Sequence, residues 1–92
     1  MSEPTVDPTV LELRQQIAAI DRTILEDVNA RIELVARIRS HKAANGIPFV
    51  DRDRERRLID ALADANGGPL SPDGVRELFA FLLDLSKREL DS

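Results

Sequence analysis

Residues 7–48 read DPTVLELRQQIAAIDRTILEDVNARIELVARIRSHKAANGIP, and this stretch decides the fold. Apolar residues recur at alternating three- and four-residue steps, at Val10, Leu13, Ile17, Ile20 and Ile24, and again at Val35 and Ile38. That spacing keeps one side of an α-helix apolar. Asp7-Pro8 supplies an N-cap followed by proline at the first helical position. No helix breaker follows until Asn45-Gly46-Ile47-Pro48, a strong stop signal. The expected helix has roughly 36 residues and a length of about 55 Å at 1.5 Å per residue. A compact chain of this size has a radius of gyration of only about 12 Å. Such a helix must protrude, and its apolar seam would be wetted unless a partner chain covered it.

Working outward, a second helix is expected from about Asp51 to Ala65, ending at Asn66-Gly67-Gly68. Ser71-Pro72 caps a third, from about Pro72 to Leu90. No segment shows the two-residue alternation of a strand over a useful length. The expected architecture is therefore all-α: three helices per chain, one very long, in an intertwined helical homodimer. Residues 1–7 read as a disordered tail and 8–92 as a single helical domain, with no internal repeat.

Composition narrows the function classes. The chain has 92 residues, 42 % apolar and 33 % charged, which suits a helical protein with a modest core. It has no cysteine, which excludes thiol nucleophiles, disulfides and cysteine-ligated zinc. A net charge of −4 argues against a nucleic-acid binder, which normally carries a basic footprint. Met1 to Pro8 lacks the apolar core of a signal peptide, and no apolar run approaches the roughly 20 residues that cross a bilayer. The expected location is the cytoplasm, without membrane association.

Charged residues interrupt the apolar seams. Arg31 lies seven residues beyond Ile24 and Lys42 four beyond Ile38, so both fall on the inward side of the first helix. Desolvating such cations costs several kcal/mol unless something negative compensates, and no acidic residue is interleaved on this part of the seam. An anion from outside the chain is the simplest compensation. In the second helix the stripe Leu58, Ile59, Leu62 and Ala65 extends backward to Glu55, Arg54 and Asp51. In the third, Val75, Phe79 and Leu82 lead to Ser86 and then Leu90. Arg31 and Lys42 are three turns apart, about 16 Å along the axis, so long side chains leaning together could touch one small anion. Arg14 is about 25 Å from Arg31 on a rotated face; only an antiparallel partner helix could deliver it.

Each position taken alone also has a plainer reading. Lysine and arginine can bury their stems and keep the charge wet. Asp51, Arg54 and Glu55 could be a solvated helix start, and Ser86 a tolerated small residue. His41 falls off the seam and reads as exposed, and Arg37, Arg56, Arg57 and Lys87 read as solvated faces. The convergence of several such signals on one interior favours a site.

The chain resembles the all-helical chorismate mutases. The carrying residues are Leu13-Arg14 with Ile17 and Asp21, then Ala30-Arg31, Lys42, and Pro48 through Glu55, and the spacings between these blocks match without a gap from Arg14 to Glu55. A looser likeness continues through Leu78-Phe79 to Ser86. The resemblance implies a Claisen rearrangement of chorismate to prephenate, a step toward phenylalanine and tyrosine, with no cofactor, no metal and no covalent intermediate. It implies catalytic roles for Lys42, Arg31 and Arg54. Lys42 would face the ether oxygen, while Arg31, Arg54 and the partner chain's copy of Arg14 would hold the carboxylates. Glu55, with the backbone near Asp51, would take the ring hydroxyl, and Ser86 would line the pocket. One position departs from the pattern: Leu90 stands where many members carry glutamine or glutamate. This matches a short-tailed subgroup activated by docking onto 3-deoxy-D-arabino-heptulosonate phosphate synthase. Isochorismate pyruvate-lyase shares the fold and a similar cationic pocket, and a non-catalytic helical dimerisation or regulatory module is the remaining alternative.

Overall fold

The computed structural model describes residues 7–91. It contains three α-helices in chain order: α1 (Pro8–Ala44), α2 (Arg52–Ala65) and α3 (Pro72–Asp91). No strand occurs among the described residues, so the chain is all-α. Of the expected tail, residues 1–6 lie outside the described residues. Asp7 caps α1, its carboxylate accepting the N–H groups of Thr9 at 2.8 Å and Val10 at 3.1 Å. No helix among the described residues is long and apolar enough to cross a membrane.

Local chemistry sets the other helix ends. At the end of α1, Gly46 takes a φ of 66°, a left-handed conformation that a side chain disfavours. The N–H of Ile47 then donates to the Lys42 carbonyl at 2.8 Å, and that of Gly46 to the Ala43 carbonyl at 3.5 Å. This is the Schellman arrangement, which satisfies the last carbonyls of a helix. Asp51 starts α2 in extended conformation, its Oδ1 accepting the Arg54 N–H at 3.0 Å. Ser71 starts α3 by accepting the Gly74 N–H at 3.0 Å. A Cβ at Gly74 would meet Leu70 Cδ1 at 2.7 Å, so the entry to α3 is closely fitted around a hydrogen atom.

The chain divides into two compact units, Met1–Ala30 and Arg31–Ser92. In the first, the described residues form the leading part of α1, and none of them is buried. Its stripe stands open: Leu13, Ile17, Ile20 and Ile24 are each more than half exposed. In the second unit α2 and α3 pack on each other around Ala63 and Val75, which are buried. Arg76 of α3 bonds Asp60 of α2, and that carboxylate, by hydrogen bond and then by charge, holds the guanidinium pKa above its ordinary value. Arg39 of α1 pairs with Asp91 of α3 at 2.8 Å and lies over the Phe49 ring. Leu58, Ile59 and Leu62 are half-buried, whereas Ala65, expected on the same stripe, is exposed. It is the last residue of α2, and Ala63, four residues after Ile59, takes the buried place.

Candidate active site

Three helices and one loop of the second unit enclose a cavity of about 490 Å³. The volume falls in the range of small-molecule sites. From α1, Arg31, Leu34, Val35, Ile38 and Lys42 face it; Phe49 and Asp51 come from the loop; Arg54 and Glu55 from α2; Leu83, Ser86 and Lys87 from α3. The α1 set recurs at helical spacing, so one face of that helix presents both the apolar wall and the two cations.

Ser86 is 4 % exposed. Its hydroxyl donates to the Leu82 carbonyl at 2.9 Å, one turn back on α3. That fixes the hydroxyl proton and turns the lone pairs of Oγ toward Arg31, whose Nη1 donates at 3.4 Å. The guanidinium is thus steadied by a neutral hydroxyl rather than by a carboxylate. Lys42 Nζ donates to the Phe49 carbonyl at 3.2 Å. An ammonium has three donors, so two remain for a ligand. The same residue carries the carbonyl that closes the α1 cap, so the end of the helix and the position of the cation are set together.

Asp51 and Arg54 are joined through the α2 cap, which occupies one carboxylate oxygen of Asp51. Glu55 Oε1 lies 2.6 Å from Lys87 Nζ, an ion pair bridging α2 and α3. This corrects the reading of Lys87 as a solvated surface residue: its side chain is 30 % exposed and lines the cavity. The signal was present in the spacing of Leu83, Ser86 and Lys87, which share a helix face. A stripe traced through Leu82 and Ser86 passes beside Lys87 and misses it. Leu34, Phe49 and Leu83 also line the cavity, and none of the stripes traced in the sequence passes through them. Arg37, His41, Arg56 and Arg57 are exposed, in keeping with their reading.

The cavity thus brings together Arg31, Lys42, Asp51, Arg54, Glu55 and Ser86. Arg14 lies in the first unit, exposed on α1. Leu90 is half-buried and is not part of the cavity wall. Among the described residues, Arg31, Lys42 and Arg54 make no salt bridge within the chain. Four cations against two carboxylates leave the wall with an excess of two positive charges, on a chain of net charge −4. The site therefore concentrates cationic hydrogen-bond donors in an otherwise anionic molecule. No group of three or more His, Asp or Glu side chains able to hold a metal occurs among the described residues.

The model of the chorismate mutase type II family matches residues 13–90. Two solved structures of chorismate mutase from Thermus thermophilus are similar to the chain, both at 28 % sequence identity. Form I superposes with a TM-score of 0.83 over 85 % of this chain and 98 % of that one. Form II does so with a TM-score of 0.84 over 87 % and 91 % respectively. A search of curated proteins finds no match. The chain belongs to the chorismate mutase type II family, a family of isomerases.

Proposed function

We propose that the protein converts chorismate to prephenate by Claisen rearrangement, using conformer selection and electrostatic stabilisation without a covalent intermediate. The observation that carries this reading is the set of three cations, Arg31, Lys42 and Arg54, without carboxylate partners among the described residues, around a cavity of about 490 Å³. Chorismate is a dianion, and the excess of two positive charges on the wall complements it.

Arg31 and Arg54 grip the two carboxylates, for which a planar guanidinium fork is suited. They hold the side chain over the ring in the reactive conformer, so orientation is achieved on binding. As the C–O bond breaks, negative charge builds on the ether oxygen. The Lys42 ammonium meets that charge, an interaction stronger in the transition state than in the ground state. Glu55 accepts from the ring hydroxyl, with the backbone near Asp51 beside it, and Ser86 closes the pocket while steadying Arg31. The working unit is an intertwined homodimer in which Arg14 of each chain reaches the partner's site. The open stripe of Leu13, Ile17, Ile20 and Ile24 supports this, since monomers rarely leave so continuous an apolar face in water. The enzyme serves phenylalanine and tyrosine formation in the cytoplasm. With Leu90 in place of a polar partner to Lys42, it gains activity on docking to 3-deoxy-D-arabino-heptulosonate phosphate synthase.

The deciding experiment follows chorismate consumption by absorbance and identifies the product. Prephenate formation is expected. Pyruvate release from isochorismate without prephenate from chorismate would replace the reading with isochorismate pyruvate-lyase. Inertness toward both would leave a helical dimerisation module. For the partner, a rise in catalytic efficiency and a larger species on a sizing column are expected when the synthase from the same source is added; no change in either removes that docking.

A further inference from the structure

Among the described residues, Lys87 is the one cation on the cavity wall that is matched by a carboxylate. Its Nζ lies 2.6 Å from Glu55 Oε1, with side chains 30 % and 22 % exposed. The other cations of the wall, Arg31, Lys42 and Arg54, are the ones left for a ligand. Glu55 is therefore a carboxylate lining a pocket that must attract carboxylates. Left alone, a half-desolvated Glu55 would turn to the nearest available cation, since an unpaired charge in such surroundings is costly. It would then compete with the incoming ligand from inside.

We infer that Lys87 is a positioning residue. By pairing with Glu55 across α2 and α3, it holds that carboxylate at the side of the cavity and keeps Arg31, Lys42 and Arg54 vacant for the dianionic substrate. The inference deepens the proposed function and rests on it for the identity of that dianion. Lys87 touches Glu55 rather than the reacting atoms, so its effect is on binding. The stem, beside Leu83 on the same helix face, places the ammonium without help from the loop.

Three variants are compared with wild type by steady-state kinetics on chorismate. Lys87→Met should raise KM by about tenfold while kcat stays within about threefold, a loss of binding without loss of chemistry. Lys87→Arg, which restores the charge, should remain within about threefold of wild type on both constants. Lys87→Met combined with Glu55→Gln, whose amide oxygen still accepts from the ring hydroxyl, should have a lower KM than Lys87→Met alone, because the competing charge is gone; this non-additivity identifies the pair. An unchanged KM in Lys87→Met overturns the inference. So does a double variant no better than the single one, which would mean that Lys87 acts on the substrate directly. If wild type does not turn over chorismate, the proposed function falls, and the ligand-free crystal structure of Lys87→Met decides the role of Lys87. Glu55 moved to within about 4 Å of Arg31, Lys42 or Arg54, an ion-pair distance, upholds it; Glu55 in its original place overturns it.

Discussion

The two units of the chain use the same apolar periodicity to opposite effect. In the stretch of α1 up to Ala30 the seam residues Ile17 and Ile20 are 56 % and 59 % exposed. Beyond Ala30 the seam continues through Val35 and Ile38, but there it forms one wall of a cavity shared with α2 and α3. A helical stripe states which face must be covered, and it is silent about what does the covering. In the second unit part of the cover is the chain's own and part is space for a ligand. In the first unit, on the proposed reading, it is another copy of the chain.

The sharpest break in that comparison comes from Lys42→Ala. Turnover should fall about 10²- to 10³-fold, the range found on deleting one donor aimed at developing charge, with helicity by circular dichroism unchanged. Near-normal turnover would take Lys42 out of the chemistry. Next, Ile17→Asp tests the open stripe: sedimentation should show dissociation to monomers with loss of most activity. If the face is merely solvated, the substitution should cost no more than about 0.5 kcal/mol and leave size and activity alone. Mixing Arg14→Ala and Arg31→Ala chains joins the two units in one test. Each variant alone should be inactive, whereas a two-fold dimer formed by random exchange restores about a quarter of the sites. No recovery on mixing would mean that each site is self-contained.

Smaller effects probe the second unit alone. Val75→Ala should lower stability by about 2 kcal/mol, as expected on removing buried methyl groups, read from the urea midpoint at constant slope. Gly46→Ala should cost about 1 kcal/mol, because the new side chain must adopt a left-handed backbone. Nothing stands within 4 Å of a Cβ there, so a larger loss would have to come from disturbance of Lys42 rather than from crowding.

The helices were legible in the sequence because each end carries a residue with one strong conformational or hydrogen-bonding demand. Asp7, Gly46, Asp51 and Ser71 all act where their chemistry places them. The cavity was partly legible. Arg31, Lys42 and Ser86 interrupt apolar stripes, and an interruption at helical spacing can be seen without coordinates. Lys87 could not be told from a surface lysine, because its meaning depends on Glu55 on another helix, 32 positions earlier in the chain. The Phe49 carbonyl that receives Lys42 leaves no trace in side-chain pattern at all, since every residue has one.

The buried hydroxyl of Ser86 imposes a demand on evolution of the pocket. Its proton is directed to Leu82 and its oxygen to Arg31, so alanine there would strip the guanidinium of its tether, and a bulkier residue would push it aside. Widening substrate scope is therefore easier through the hydrocarbon lining, at Leu34, Val35 or Leu83, than through this hinge between scaffold and charge.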